Sequence, residues 1–216
     1  MATSQNDHLW ALMRTERAAL ADDLSTLTPK QWRHTTLCGE WNVEDAVAHL
    51  IAAASTNQLR WLRSIIGARF RVDVHNQRRI EEFRGRTPEE TLERFRRVVD
   101  STTSPSGHIP AYLGEVLVHS QDIRQPLGLS RTPSVKALIP VAEFFAERDF
   151  AVNSHSLVKG LSLRAADGMF AVGVGPMVSG SLLALVMTMA GRSVYLEQLE
   201  GPGVHLLRER LLGADV

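Results

Sequence analysis

The chain has a single cysteine, Cys38, in 216 residues. One thiol excludes an internal disulfide framework and any metal site built from several cysteines. Net charge is also missing: 24 basic side chains balance 24 acidic ones, so no global field recruits nucleic acid or an anionic membrane. Long apolar runs are lacking too. The longest, Leu182 to Ala190, includes Thr188 and falls far short of the roughly 20 residues that span a bilayer. The opening residues, MATSQNDHLW, carry neither the basic nor the apolar region of a secretion signal. These absences together lead to the expectation of a cytoplasmic protein with no membrane and no nucleic-acid partner.

What is present is the composition of a folded soluble protein, 44% apolar and 22% charged, with length for one large domain or two modest ones. The charge is uneven. Between Arg60 and Arg97 stand eleven arginines and six acids, a net of +5. The interrupting acids make this a solvated helical face laced with ion pairs, in preference to a polyanion surface.

Apolar periodicity places a first helix over 7–27, ending at Thr28-Pro29, and a loop over Trp32 to Trp41. Asn42 is an N-cap with Asp45 three residues on, in a capping-box arrangement. A long second helix is expected over 43–66, on the stripe Val43, Val47, Leu50, Ile51, Ala54, Leu62 and Ile65. Thr87-Pro88-Glu89-Glu90 starts a third helix running to about Val99. Residues 101–107 form a loop, and Pro110 opens a fourth helix that stops before Pro126. Helices joined this way bury their stripes as a four-helix bundle. After about Gly128 the pattern changes. A helix over 134–145 precedes two short runs around Asp167-Gly168 that read as a hairpin, then helices over 182–190 and 204–212. The division expected is a helical bundle over 1–130 and a small α+β unit over 131–216.

His49, Glu115 and His119 are the candidate metal ligands. Two imidazoles and a carboxylate leave an open position on a zinc-like ion, and Glu115 and His119 at i,i+4 share one helix face. Asp45 and Asp122 are each placed to hold an imidazole N–H, with Asp45 alternatively a fourth ligand. The duller reading is a pair of hydrogen-bonded structural histidines. His8, His34, His75, His108, His155 and His205 lack such pairing and read as surface or packing residues. Cys38, before the second helix, reads as a small buried residue, with a helix-activated nucleophile as the alternative. Arg192 either binds an anionic substrate or caps a helix. The glycines from Gly173 to Gly180 match neither a phosphate loop nor a dinucleotide fingerprint.

Two blocks carry a family resemblance. LTPKQWRHTTLCGEWNVEDAVAHL, 27–50, resembles the signature of actinobacterial proteins related to mycothiol-dependent maleylpyruvate isomerase, within the DinB-like superfamily. GEVLVHSQDIRQPLG, 114–128, is similar to that family's metal-binding helix, with Glu115 and His119 at the ligand positions. Glu40, between Gly39 and Trp41, departs from the pattern. The resemblance implies a mainly α fold: a DinB-like up-down-down-up four-helix bundle holding a divalent metal, usually zinc, followed by a small α+β, sterol-carrier-like C-terminal domain. It also implies mycothiol as thiol cosubstrate, S-transfer or isomerisation of a small electrophilic substrate, and a C-terminal arginine, here Arg192, that stabilises negative charge. A homodimer is compatible with this reading. A metal-dependent hydrolase and a non-enzymatic metal-binding or regulatory protein are the alternatives.

Overall fold

The computed structural model describes residues 2–57, 72–104 and 106–213. The chain divides into two compact units, Met1–Arg131 and Thr132–Val216.

The first unit is helical. Helix α1 spans Ala2–Leu24, α2 Pro29–Trp32, α3 Val43–Ser55, α4 Val72–Phe83, α5 Pro88–Arg97 and α6 Ile109–Arg124. Four of these form the bundle: α1 packs on α6 and α5, and α3 packs on the same two helices. The core is made where the stripes meet: Met13 and Leu20 of α1, Val47 and Leu50 of α3, Phe95 of α5, and Leu113 and Leu117 of α6, all buried. Each such side chain withdrawn from water stabilises the fold by roughly 1.5–3 kcal/mol before entropy is counted. Alanines 46, 48, 52 and 54 of α3 are buried as well, and their small size lets neighbouring helices approach closely.

Local chemistry sets the helix ends. Asn42 Oδ1 accepts from the Asp45 backbone N–H at 3.0 Å, and Asp45 Oδ2 accepts from the Asn42 N–H at 3.3 Å, a reciprocal capping box. Thr28 and Gln31 make the same box at α2. At α5, Thr87 Oγ1 accepts from the Glu90 N–H, with Pro88 in the first turn.

Two expectations are corrected. The second helix stops at Ser55, not residue 66; Thr56 takes an extended conformation (φ −104°, ψ 116°). Ser55, Thr56 and Asn57 all carry side chains that compete for backbone hydrogen bonds, which weakens helix propagation. The remainder of that expected helix, with Leu62 and Ile65, lies outside the described residues. A separate helix, α4, also exists where none was expected, and it packs on α3. Its buried residues include Ile80 but also Arg79, so no apolar stripe announced it.

The second unit is α+β. Helix α7 spans Val135–Glu147 and α8 Ser154–Val158; β1 spans Ser162–Ala165, β2 Ala171–Val172 and β3 Met177–Gly180. Helix α9, Leu182–Met189, precedes a 3-10 segment at Ser193–Gln198, then β4, Leu199–Glu200, and α10, Val204–Gly213. The sheet order is β2-β1-β3-β4. The hairpin read around Asp167-Gly168 is the antiparallel β1/β2 pair, with Leu163 opposite Val172. Strands β3 and β4 were not read from the sequence. They pair antiparallel, and β3 runs parallel to β1. Helix α9 packs on β1, β3 and α7. Gly173 (φ 78°) and Gly175 (φ 140°) end β2 so close to β1 that a Cβ would stand about 2 Å from a carbonyl oxygen of Leu161 or Gly160; glycine is required there.

Among the described residues, no helix is long and apolar enough to cross a membrane.

Candidate metal centre

Three elements build the site: the second turn of α3, the middle of α6 and the loop over 33–42. The loop is a compact turn. The Thr36 N–H and hydroxyl both donate to the Trp41 carbonyl, and the Trp41 N–H donates to the Cys38 carbonyl. Gly39 makes the reversal with φ 58°, a left-handed conformation that glycine adopts without strain. The Leu37 N–H donates to the Asp122 carbonyl at 3.1 Å, tying the turn to α6. Cys38 and Trp41 are thereby carried to the helix that bears Glu115 and His119.

His49, Glu115 and His119 come together. His49 Nε2 is 3.0 Å from Glu115 Oε2, and His119 Nε2 is 3.3 Å from the same oxygen. All three donor atoms lie within 4.8 Å of one another. Zinc ligands at 2.0–2.2 Å and tetrahedral angles stand roughly 3.3–3.6 Å apart, so the donor set has the size and chemistry of a cation site. His49 and Glu115 are half-buried, whereas His119 is buried. The two imidazoles meet edge-on, with centroids 5.0 Å apart at 74°.

On the far side of His119, Nδ1 lies 3.0 Å from Asp122 Oδ2. Asp122 is fully buried, so this partner is fixed. With the carboxylate accepting from Nδ1–H, it is the Nε2 proton, on the Glu115 side, that an ion would displace. Asp45, the other candidate partner, is turned elsewhere: its Oδ1 accepts from Arg84 at 2.9 Å and its Oδ2 caps α3. It is neither the partner of His49 nor a member of the donor set.

The electrostatics follow from this crowding. Burial alone would raise the Glu115 carboxyl pKa, but hydrogen bonds from His119 and His49 outweigh it and hold the group below the usual carboxylate range. Burial would likewise favour neutral His119. Asp122, Cys38 and Glu115 reverse that, and push the imidazole pKa well above its ordinary value. A site that so favours positive charge between its carboxylates is one a cation can occupy in place of protons.

Cys38 is the residue that sequence reasoning placed wrongly. It is half-exposed rather than buried, hydrogen-bonds His119 and forms a second donor group with His119 and Asp122. It lies 81 positions from His119 in the sequence, so no spacing rule linked them. Trp41 ends the same loop. Its ring lies 4.9 Å from that of His49 and 5.8 Å from that of His119, covering one side of the donor set. Trp32, by contrast, is buried.

Arg192 lies in the second unit, immediately before the 3-10 segment, with its Nη1 donating to the Ala190 carbonyl at 2.5 Å. Of the remaining histidines, His34 and His155 contact backbone carbonyls, and His8, His108 and His205 fall outside both donor groups. The His75 side chain lies outside the described residues.

With this geometry in place, comparison with known proteins is informative. The model of the mycothiol maleylpyruvate isomerase N-terminal domain matches residues 13–124. Two solved structures are similar: the mycothiol-dependent maleylpyruvate isomerase and a histidine-to-alanine mutant of it. Each is 15% identical, covers 91% of this chain and 92% of its own, and superposes with a TM-score of 0.64. At that identity the likeness is one of fold. No curated protein matches the sequence.

Proposed function

The chain belongs to the mycothiol maleylpyruvate isomerase N-terminal domain family, and from that premise we propose a metal-dependent enzyme that uses mycothiol on a small electrophilic substrate, by S-transfer or isomerisation. The observation that supports it is the convergence of His49 Nε2, Glu115 Oε2 and His119 Nε2 within 4.8 Å. In this reading the three side chains hold a divalent ion, and zinc suits a set of two imidazoles and a carboxylate. Such an ion would supply Lewis acidity, lowering the pKa of a thiol so that the thiolate predominates near neutral pH.

The protein's own groups do the rest. Asp122 keeps a proton on His119 Nδ1, so that Nε2 is the nitrogen left to give up its proton and face the ion. Trp41 shields one side of the donor set from water, which strengthens every charge interaction beneath it. The half-buried side of His49 and Glu115 leaves an approach for the thiol. Arg192 is assigned the anion-stabilising part, holding a substrate carboxylate or developing enolate charge.

Metal content is the direct test. Gently purified wild-type protein should carry about one ion per chain, and His49→Ala should lose it while keeping its helical circular dichroism. Wild-type protein that binds no ion even after reconstitution overturns the reading. Turnover that proceeds equally without thiol would move the activity to hydrolysis.

A further inference from the structure

The proposed chemistry leaves Cys38 unused, although two backbone contacts fix its place. Its own N–H donates to Thr36 Oγ1 at 3.1 Å, and the N–H of Leu37 donates to the Asp122 carbonyl at 3.1 Å. Cys38 is half-exposed, so an ion can reach the thiol from solvent, whereas His119 and Asp122 are buried. Cys38 Sγ, a ring nitrogen of His119 and a carboxylate oxygen of Asp122 lie within 4.8 Å of one another. Cys38 stands outside the group made by His49, Glu115 and His119. Asp122 meets the imidazole at Nδ1 and Glu115 meets it at Nε2, so the two groups share one ring and draw on its opposite nitrogens.

We propose that Cys38, His119 and Asp122 form a second cation position, selective for a thiophilic metal ion, which excludes an ion at the first position by taking His119. The selectivity comes from sulfur. A thiolate is a soft ligand and favours soft ions, whereas two imidazoles and a carboxylate suit zinc. The exclusion comes from the ring. A neutral imidazole has one lone pair to give. Binding at the second position releases the Cys38 thiol proton to solvent and forms bonds to Sγ, Nδ1 and an Asp122 oxygen. The single ring proton then sits on Nε2, where it bonds Glu115, and His119 no longer serves the first position. The exclusion rests on the metal-dependent reading above; the second position itself does not.

Cadmium alone, titrated into zinc-loaded protein without added thiol, tests both parts. The wild type should develop a thiolate-to-cadmium charge-transfer absorption that saturates at about one cadmium per chain, while a chromophoric indicator registers the released zinc. Cys38→Ser should hold zinc as the wild type does, keep its helical circular dichroism and show no such band. His49→Ala, which breaks only the first donor group, should still develop the band. A wild type without the band overturns the second position. The band with zinc fully retained overturns the exclusion. A band lost in folded His49→Ala overturns a separate position, because Cys38 would then serve the first ion. Wild-type protein that holds no zinc but shows the band would remove the metal-dependent reading and leave the second position standing.

Discussion

At the scale of single residues, the donor set shows how one buried acid determines what a histidine can do. Asp122 has no solvent exposure and meets Nδ1 of His119 at 3.0 Å. Asp122→Asn offers Nδ1 an amide that can also donate, so the tautomer is no longer dictated. Metal affinity should drop roughly 10–100-fold, read by competition with a chromophoric chelator, with helical content unchanged. Much of this centre was legible in the sequence. The i,i+4 spacing put Glu115 and His119 on one face, and Asp122 followed three residues later on the same helix. The structure brings His49 to them from another helix. Cys38 and Trp41 were illegible as neighbours of the site, because their approach depends on a turn reversing at Gly39 and on one backbone hydrogen bond from Leu37 to Asp122. Neither leaves a periodic trace.

At the scale of elements, helix ends were read better than helix lengths. Caps are local and their residues name themselves, so Asn42, Thr87 and Pro110 marked starts that the structure reproduces within a residue. Helix α4 was hidden because its stripe is polar, and β3 and β4 because strands of four and two residues carry too little alternation. Truncating the cap of α3, Asn42→Ala, should cost about 1 kcal/mol in chemical denaturation. It also loosens the turn that bears Trp41. Helix α5 gives a pH signature. The Glu90 carboxylate accepts from the Arg86 backbone N–H, then from the Arg94 and Arg86 side chains, and its pKa drops from 4.5 to about 2. A carboxyl lowered by folding stabilises the native state above its unfolded pKa, and that contribution is lost as pH falls from about 4.5 toward 2. Glu90→Gln should therefore melt below the wild type at pH 7, with the gap in Tm narrowing as pH falls below 4.5. The arginine-rich stretch is ion-paired where it is described: Arg79, itself buried, and Arg84, Arg86, Arg94 and Arg97 each meet an acid.

At the scale of the molecule, the bundle is stapled by a charge in its interior. Arg124, fully buried at the end of α6, donates to Asp23 of α1 at 2.8 Å, and Arg131 meets the other oxygen of Asp23. Removing the acid leaves a guanidinium without its counter-charge. Asp23→Ala should lower unfolding free energy by about 3 kcal/mol, and Asp23→Leu with Arg124→Met should recover most of it, both measured by urea titration. The sheet of the second unit carries a different consequence. Its outer strands, β2 and β4, are two residues each, and Gly173 and Gly175 turn the chain away directly after β2. A sheet edge that short gives another chain almost nothing to pair with. The glycines that shape the turn thus also guard against aggregation, beside two openly apolar side chains, Met169 at the hairpin tip and Val174 between the glycines themselves.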